Sequence, residues 1–516
     1  MQTVFYRWLI VVSLLLGSTG ASALAQDEPQ QNDAQAAPAT PAAIQEISGG
    51  VEIRPIELRA SVFKTDNYPV DLAAVLKLVE DQNLMIAQNK LNTDIQQSRL
   101  RQQQVALLPN ITATYSQNRQ GGQQGFISGS SGGFIAANGS GGGGGRSSSR
   151  GNSQTFQQIQ VGASWTLYPG GRNIYQILAA KRRKVSSDFL LKETYQEQLS
   201  QAAQEYYKLL AAYEQKGVVV RNIENALEQV KVNQGKVKVG KGIPLDLSQA
   251  KTTYAQQQSS LVQAEAAILQ AEQTLINRLN LEPTIHLIPS GSDAQKKALI
   301  AEVVSVDQLL GRAIATNPTL KNGEEELKAL DYDYKMVRSD LIPSITIQAS
   351  SRASGTELDN LQRSTSGGLS VSANLLQNMG LQIPLQMREK KQLIQQKKLA
   401  QQATVRTIQT QVMTAFLNSE NYEGAIEAAR QAVDSAQESY DLASGRFKSG
   451  YGINLDVLNA QANLATARSN LVQAVLNYNQ SQIQLVQAMG LVTPDAILQG
   501  IQWQGSSANA QPSSNP

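Results

Sequence analysis

The chain has 516 residues, 41% hydrophobic and 17% charged, with a formal net charge of +3, one histidine and no cysteine. That length is ample for a buried core, and the near-balanced charge gives no pull toward nucleic acid or a strongly acidic partner. The missing thiols exclude a disulfide frame, thiol redox chemistry and a lipid anchor on an N-terminal cysteine.

Taken in chain order, residues 1–25 read as a secretory signal. Arg7 supplies the charged n-region, Trp8 to Leu16 the apolar core and Ala23-Leu24-Ala25 a small-x-small cleavage site. The apolar run is too short to span a bilayer as a helix. Cleavage after Ala25 removes Arg7 and leaves a charge of 3 − 1 = +2. Residues 26–68 are expected to be disordered or irregular, and residues 504–516 to form a disordered polar tail, because neither buries enough apolar surface to offset its ordering entropy. No helix-length apolar run follows position 25, so any membrane crossing falls to strands.

Between these ends one plan is written twice. GKGIPLDLSQA from Gly240 and GYGINLDVLNA from Gly450 share six of eleven positions, at an offset of 450 − 240 = 210. The same offset carries SSLVQA at 259–264 onto SNLVQA at 469–474, and Leu281 onto Leu491. Upstream, ALLPNITAT around Pro109 resembles DLIPSITIQ around Pro343, an offset of 343 − 109 = 234 that also sets Asn83 against Asn317. The first repeat is placed at 69–290 and the second at 291–503, each far longer than a solenoid unit.

Each repeat is expected to run helix, short strand, polar loop, short strand, very long helix, turn, helix. The opening helices are predicted near 70–108 and 306–342. The strands show a period of two. In the first repeat Ile111, Ala113 and Tyr115 alternate with polar residues, as do Ile159, Val161, Ala163, Trp165 and Leu167 with Gln, Gly, Ser and Thr. In the second, Ile345, Ile347 and Ala349 and then Leu369, Val371, Ala373 and Leu375 do the same. Loops are predicted at 119–154, which is rich in Gly and Ser, and at 352–366. Gly171 to Val239 and Leu385 to Ser449 contain no proline, and the first is long enough for a helix on the order of 100 Å.

Shorter helices, near 244–281 and 454–490, carry a heptad. Leu247, Tyr254, Leu261, Ile268 and Leu275 recur every seventh residue, as do Val457, Leu464, Leu471, Tyr478 and Leu485. Three residues on, the companion set is mostly small, with Ala250, Ala264 and Ala271 in one helix and Ala460, Ala467, Ala474, Ser481 and Ala488 in the other. One large and one small residue per heptad lets helix pairs approach closely, as a thin-walled helical tube needs. Two half-length helices stacked end to end match one long one.

One face of each strand is apolar and the other is hydroxyl, amide or glycine, which fits lipid outside and water inside. A soluble sheet with one face on a core is the alternative. Four strands cannot close a barrel, whose smallest membrane versions have about eight, so the membrane reading requires an oligomer.

The chain after the signal resembles the TolC-type outer membrane factors. The features that carry the resemblance are the duplicated plan, Leu-Pro before the first strand of each repeat, LYPGGR at 167–172 and G-x-G-I-x-L-D-x-x-x-A at both turns. The resemblance implies a mixed α+β, mostly α, fold. In it, long coiled-coil helices form a periplasmic α-helical barrel joined to an antiparallel outer-membrane β-barrel, with four strands per chain completed by trimerisation. It further implies a homotrimer in the outer membrane of a Gram-negative-type cell, in contact with outer-membrane lipid. Its partners would be a periplasmic adaptor and an inner-membrane pump, and its function a passive exit duct for tripartite efflux or type I secretion. A periplasmic coiled-coil adaptor or structural spacer without a pore is the alternative. No catalytic, metal or cofactor constellation is present, so an enzyme is not expected.

The turns carry the candidate site residues. Asp246 and Asp456 stand in the first turn of their helices, where a carboxylate meets the helix dipole; the functional reading is that three copies ring the lumen and attract cations. By the resemblance, Asp456 matches an acidic position at a constriction, and Asn459 stands where some relatives have a further acid. Gly240, Gly242, Gly450 and Gly452 are expected to supply positive φ in the reversals, and are candidates for docking the adaptor. Trp165 and Tyr168 are candidates for an interfacial aromatic belt or for packed strand residues. GKVKVGKG at 235–242 is one residue short of a phosphate loop and follows a helix. His286 is expected in a solvent-exposed linker. The basic runs 181–184 and 388–391 are expected to be solvated helix faces, or to meet acidic headgroups.

Overall fold

The computed structural model describes residues 67–120, 154–290, 296–300, 305–357, 360–373 and 381–501. The expected signal at 1–25, the segment from 26 through 66, most of the 119–154 loop, Leu375 and the tail from 502 lie outside them. The first half of the chain runs β1 (Asn67–Val70), α1 (Leu72–Gln82), α2 (Leu84–Val105), β2 (Asn110–Gln120), β3 (Gln154–Tyr168), α3 (Arg172–Lys238), α4 (Pro244–Leu279) and β4 (His286–Pro289). The second runs α5 (Val306–Thr316), α6 (Pro318–Ser339), β5 (Ser344–Gly355), β6 (Gln362–Ser372), α7 (Gln382–Lys448), α8 (Asn454–Ala488) and a short α9 (Pro494–Gln499).

The two proline-free segments each form one helix of 67 residues, about 100 Å long at ~1.5 Å per residue. The single helices expected near 70–108 and 306–342 are each broken in two. Asn83 leaves the helical region (φ −69°, ψ 121°), and its Oδ1 accepts from the backbone N–H groups of Met85 and Ile86, restarting the chain as α2. Its amide nitrogen donates to Gln198 Oε1 and to the Arg278 carbonyl, both at 3.2 Å. Asn317 acts alike: Oδ1 accepts from the Thr319 N–H at 2.9 Å, Nδ2 donates to the Ala488 carbonyl at 3.2 Å, and Pro318 opens α6. Each amide therefore caps one helix and fastens it to another.

Four strands form one antiparallel sheet in the order β2-β3-β5-β6, so the two repeats meet at β3 and β5. Register places the alternation on common faces. Ile111, Ala163 and Ala349 lie in one row, and Tyr115, Ile159 and Ala353 in another. On the opposite face Thr112, Gly162, Ser350 and Ser366 align. Ile111, Leu369 and Val371 are 73%, 65% and 66% exposed, so the apolar face does not rest on a core of this chain. The reading of a soluble sheet with one face on such a core is thus not what folds. The loop expected at 352–366 shrinks to the link between Gly355 and Gln362, because both strands continue through polar residues paired across the ladder. β1 and β4 form a separate parallel pair that the periodicity did not reveal, and His286 lies in that strand rather than in a linker.

Below the sheet, α3 packs along α2 and α6 in one half of its length and along α4 and α8 in the other, while α7 packs along α6 and α8. The heptad seams are the buried faces: Ile268 and Leu275 of α4, and Val457, Leu464, Tyr478 and Leu485 of α8. The main core gathers where the half-length helices meet, with Leu72, Tyr206, Leu275, Leu309 and Val486 among its members. Toward the turns it thins to small clusters such as Tyr440, Phe447, Val457 and Leu464. No described helix is long and apolar enough to cross a membrane.

Candidate functional site

Each long helix ends in the same way. The Gly240 and Lys241 N–H groups return to the carbonyls of Val237 and Lys236, and those of Gly450 and Tyr451 to Phe447 and Arg446, the paired bonds of a Schellman motif. Positive φ is needed at only two of the four glycines, Gly240 (+72°) and Gly450 (+88°). The expectation of positive φ at Gly242 and Gly452 is corrected: those two are small because the chain folds back on its own helix. A Cβ on Gly242 would lie 2.7 Å from the Val237 nitrogen, and one on Gly452 3.1 Å from that of Phe447.

The two turns are tied together by a residue that sequence reasoning passed over. Asn454, the counterpart of Pro244 at the repeat offset, is 1% exposed. Its Oδ1 accepts from Gln229 Nε2 at 2.8 Å and Asn233 Nδ2 at 2.9 Å, both on α3. Its Nδ2 donates to the Asp246 carbonyl at 3.3 Å, at the start of α4. Lys236 adds a bond to the Phe447 carbonyl, with its Nζ 3.4 Å from the centre of the Phe447 ring. Burial draws the Lys236 ammonium below its ordinary value, against the opposing pull of Asp246. Lys448 pairs with Glu228 at 2.6 Å. The one sequence signal for Asn454 was the break in the repeat, Asn where the first copy has Pro.

Asp246 is half-buried in the first turn of α4, whereas Asp456 and Asn459 are exposed in the first turns of α8. Neither carboxylate has a hydrogen-bond or ion-pair partner among the described residues. Around them stands a second feature missed in the sequence: Val239, Ile243, Leu245, Tyr451, Ile453 and Leu455 are all at least half exposed, Tyr451 at 91%. The signal was present as apolar residues flanking the glycines, without a periodic partner.

At the other end, Trp165 Nε1 donates to the Leu107 carbonyl at 3.0 Å, at the junction of α2 with β2. Tyr168 lies past a bulge in β3 and is 46% exposed. Arg172 of the LYPGGR motif meets Asp340 at 2.5 Å, joining the entry of α3 to the exit of α6. In the basic run at 181–184, Lys181 and Arg183 are exposed, and the run also meets α6: Arg182 pairs with Glu325 at 3.0 Å and Arg183 with Asp333. In the run at 388–391, Lys391 lies over the Tyr334 ring. His286 is half-buried; Nδ1 is 3.2 Å from Oε2 of the buried Glu272, which also accepts from the Tyr213 hydroxyl at 3.0 Å. Among the described residues no group of His, Cys, Asp and Glu has the arrangement of a metal site.

The sequence model of the family described as "Outer membrane efflux protein" matches residues 75–281 and 309–491, more than half of the chain and in two blocks. The chain belongs to the outer membrane efflux protein family. Membership bears out the resemblance to TolC-type factors and places the chain in the outer membrane, in a family described by efflux and not by catalysis. The pyoverdine export outer membrane protein OpmQ of Pseudomonas aeruginosa is 24% identical over 57% of this efflux family member and 61% of OpmQ. The outer membrane efflux protein BepC of Brucella suis is 24% identical over 64% of this chain and 71% of BepC. The alignment thus spans about three fifths of OpmQ's length. In three dimensions the outer-membrane channel OprN superposes with a TM-score of 0.66 at 16% identity, covering 81% of this chain and 89% of OprN.

Proposed function

We propose that three copies of the chain pool their sheets into one closed barrel in the outer membrane, continued by a helical tube into the periplasm. The assembly is the passive exit duct of a tripartite efflux or type I secretion system. The observation that carries this reading is the four-stranded sheet, apolar and bare on one face, polar on the other, with β2 and β6 left as open edges. Open edges demand partners, and twelve pooled strands close within the range of membrane barrels. The apolar rows from Tyr168 to Ile159 cover about 30 Å of strand at ~3.3 Å per residue. Tilted by ~35–45°, that is close to the ~25 Å apolar band of such barrels. Trp165 and Tyr168 then sit in the belt at the periplasmic rim. The two repeats, 69–290 and 291–503, are the staves of the tube, and the paired turns are its far tip.

At that tip, Asp456 and Asp246 contribute acid to the lumen, with Asn459 in place of a second acidic ring. The glycines with their apolar neighbours form the surface that docks an adaptor and, through it, an inner-membrane pump. Docking releases the Asn454 tie and opens the tip. Planar-bilayer conductance of the full assembly tests the duct. Stepwise openings are expected, with larger steps or weaker cation preference when Asp246→Asn and Asp456→Asn are combined. Openings indifferent to both changes return the aspartates to helix capping. Silence from correctly inserted protein defeats the duct and favours a spacer.

A further inference from the structure

A cavity of about 360 Å³ lies where α3, α7 and α8 meet the connector carrying Lys296. Its charged wall is mostly cationic: Arg221, Arg430, Arg468 and Lys296 line it, against one carboxylate, Glu214, with Tyr207 and Asn479 as the neutral polar residues. Lys296 is matched, since it pairs with Glu423. The arginines are not. Arg221 and Arg430 have no ion-pair or hydrogen-bond partner among the described residues. Arg468 Nη2 donates to Gln437 Oε1 at 2.6 Å, but its Nη1 is buried and unpartnered. Burial, and then the nearby Arg221, draw the Arg468 guanidinium below its ordinary value. A buried charged donor without an acceptor is costly, and like charges beside it add to the cost. The apolar part of the wall is largely aliphatic, with Leu210, Val218, Val433, Leu471 and Val475.

Duplication does not account for this charge. At the repeat offset, Arg468 stands opposite Gln258 and Arg430 opposite Val220. The cavity's size falls in the ~300–1,000 Å³ range of small-molecule sites, where an apolar wall and a few convergent polar groups are the usual combination. A guanidinium fork matches a carboxylate in two parallel hydrogen bonds. We propose that this cavity is a binding site for an amphipathic anion, a carboxylate carried on an aliphatic chain. The head accepts from Arg468 Nη1 and faces Arg221 and Arg430, and the chain lies on the leucines and valines. The described lining comes from one chain, and binding there does not depend on conduction through the duct.

The test is equilibrium dialysis of labelled octanoate against the full-length assembly held in amphipol, with octanol as the neutral probe of equal length. Saturable binding of one octanoate per chain is expected, with octanol at least tenfold weaker. Arg221→Gln and Arg430→Gln, both on exposed helix faces, are each expected to weaken octanoate several-fold, and Arg468→Gln further provided its thermal midpoint matches the parent. Octanoate and octanol retained alike would show partition into apolar surface and overturn the site. Undiminished binding in the Arg221 and Arg430 variants would do the same. So would the absence of saturable binding, which is the outcome if an acidic side chain of a neighbouring copy already fills the cavity.

Discussion

At the residue scale, the repeated turns separate two uses of glycine that look identical in sequence. Gly240 and Gly450 sit in left-handed backbone with open space around them, so alanine there meets only the conformational cost, ~1–2 kcal/mol. At Gly242 the added carbon strikes backbone, so Gly242→Ala is expected to lower the thermal midpoint of the assembly more than Gly240→Ala; equal midpoints would refute the close-approach assignment. Asn454→Ala removes the acceptor of two buried amides, at about 1–3 kcal/mol for groups left unpaired. Faster amide hydrogen exchange at 229–233 and at the start of α8 is the expected sign. Unchanged exchange would mean that the network does not hold the tip. The heptad residues could be named from spacing alone, whereas Asn454 could not, because its importance lies in α3, far away along the chain.

At the scale of elements, the seam between α3 and α6 is electrostatic where the seam between α7 and α8 is apolar. Burial acts to raise the Glu325 carboxyl, but hydrogen bonds from Lys328 and Arg182 outweigh it and hold the group below its ordinary value. A carboxyl that titrates lower in the folded than in the unfolded chain stabilises fully above its unfolded value, ~4.3, and loses that contribution as pH falls through the lowered folded value. Thermal unfolding across pH 3 to 7 is therefore expected to show a flatter acid limb for Glu325→Gln than for the parent; parallel limbs would count against the pairing. The same seam adds to the reading of the basic run at 181–184: its residues stay largely solvated, and only the facing helix shows that Arg182 and Arg183 also pair with carboxylates. Long helices were readable because the absence of proline and a steady heptad are local properties. The breaks at Asn83 and Asn317 were not, since an asparagine within a helical pattern becomes a cap only when its amide finds partners on other helices.

At the scale of the whole molecule, the bare apolar face and the free edges of β2 and β6 are incomplete in one chain. Sedimentation equilibrium in a density-matched detergent is expected to return three copies, and a monomer or dimer would remove the pooled barrel. At the opposite end, Ile243, Leu245, Ile453 and Leu455 present apolar surface that no described residue covers. Leu245→Ser with Leu455→Ser is expected to reduce adaptor capture at least tenfold while leaving bilayer conductance intact. Loss of both together would assign these residues to folding of the tip instead.

The duplication, the alternating faces of the strands, the two long helices and the place of the turns were legible along the chain, because each is a repeat or a period that neighbouring residues carry without reference to the rest of the chain. Which asparagines break helices, which glycines need positive φ, that Asn454 ties the turns and that three arginines converge on one cavity came only from the packing of distant elements. Those properties belong to what stands opposite a residue, and long helices packed side by side bring together positions more than two hundred residues apart.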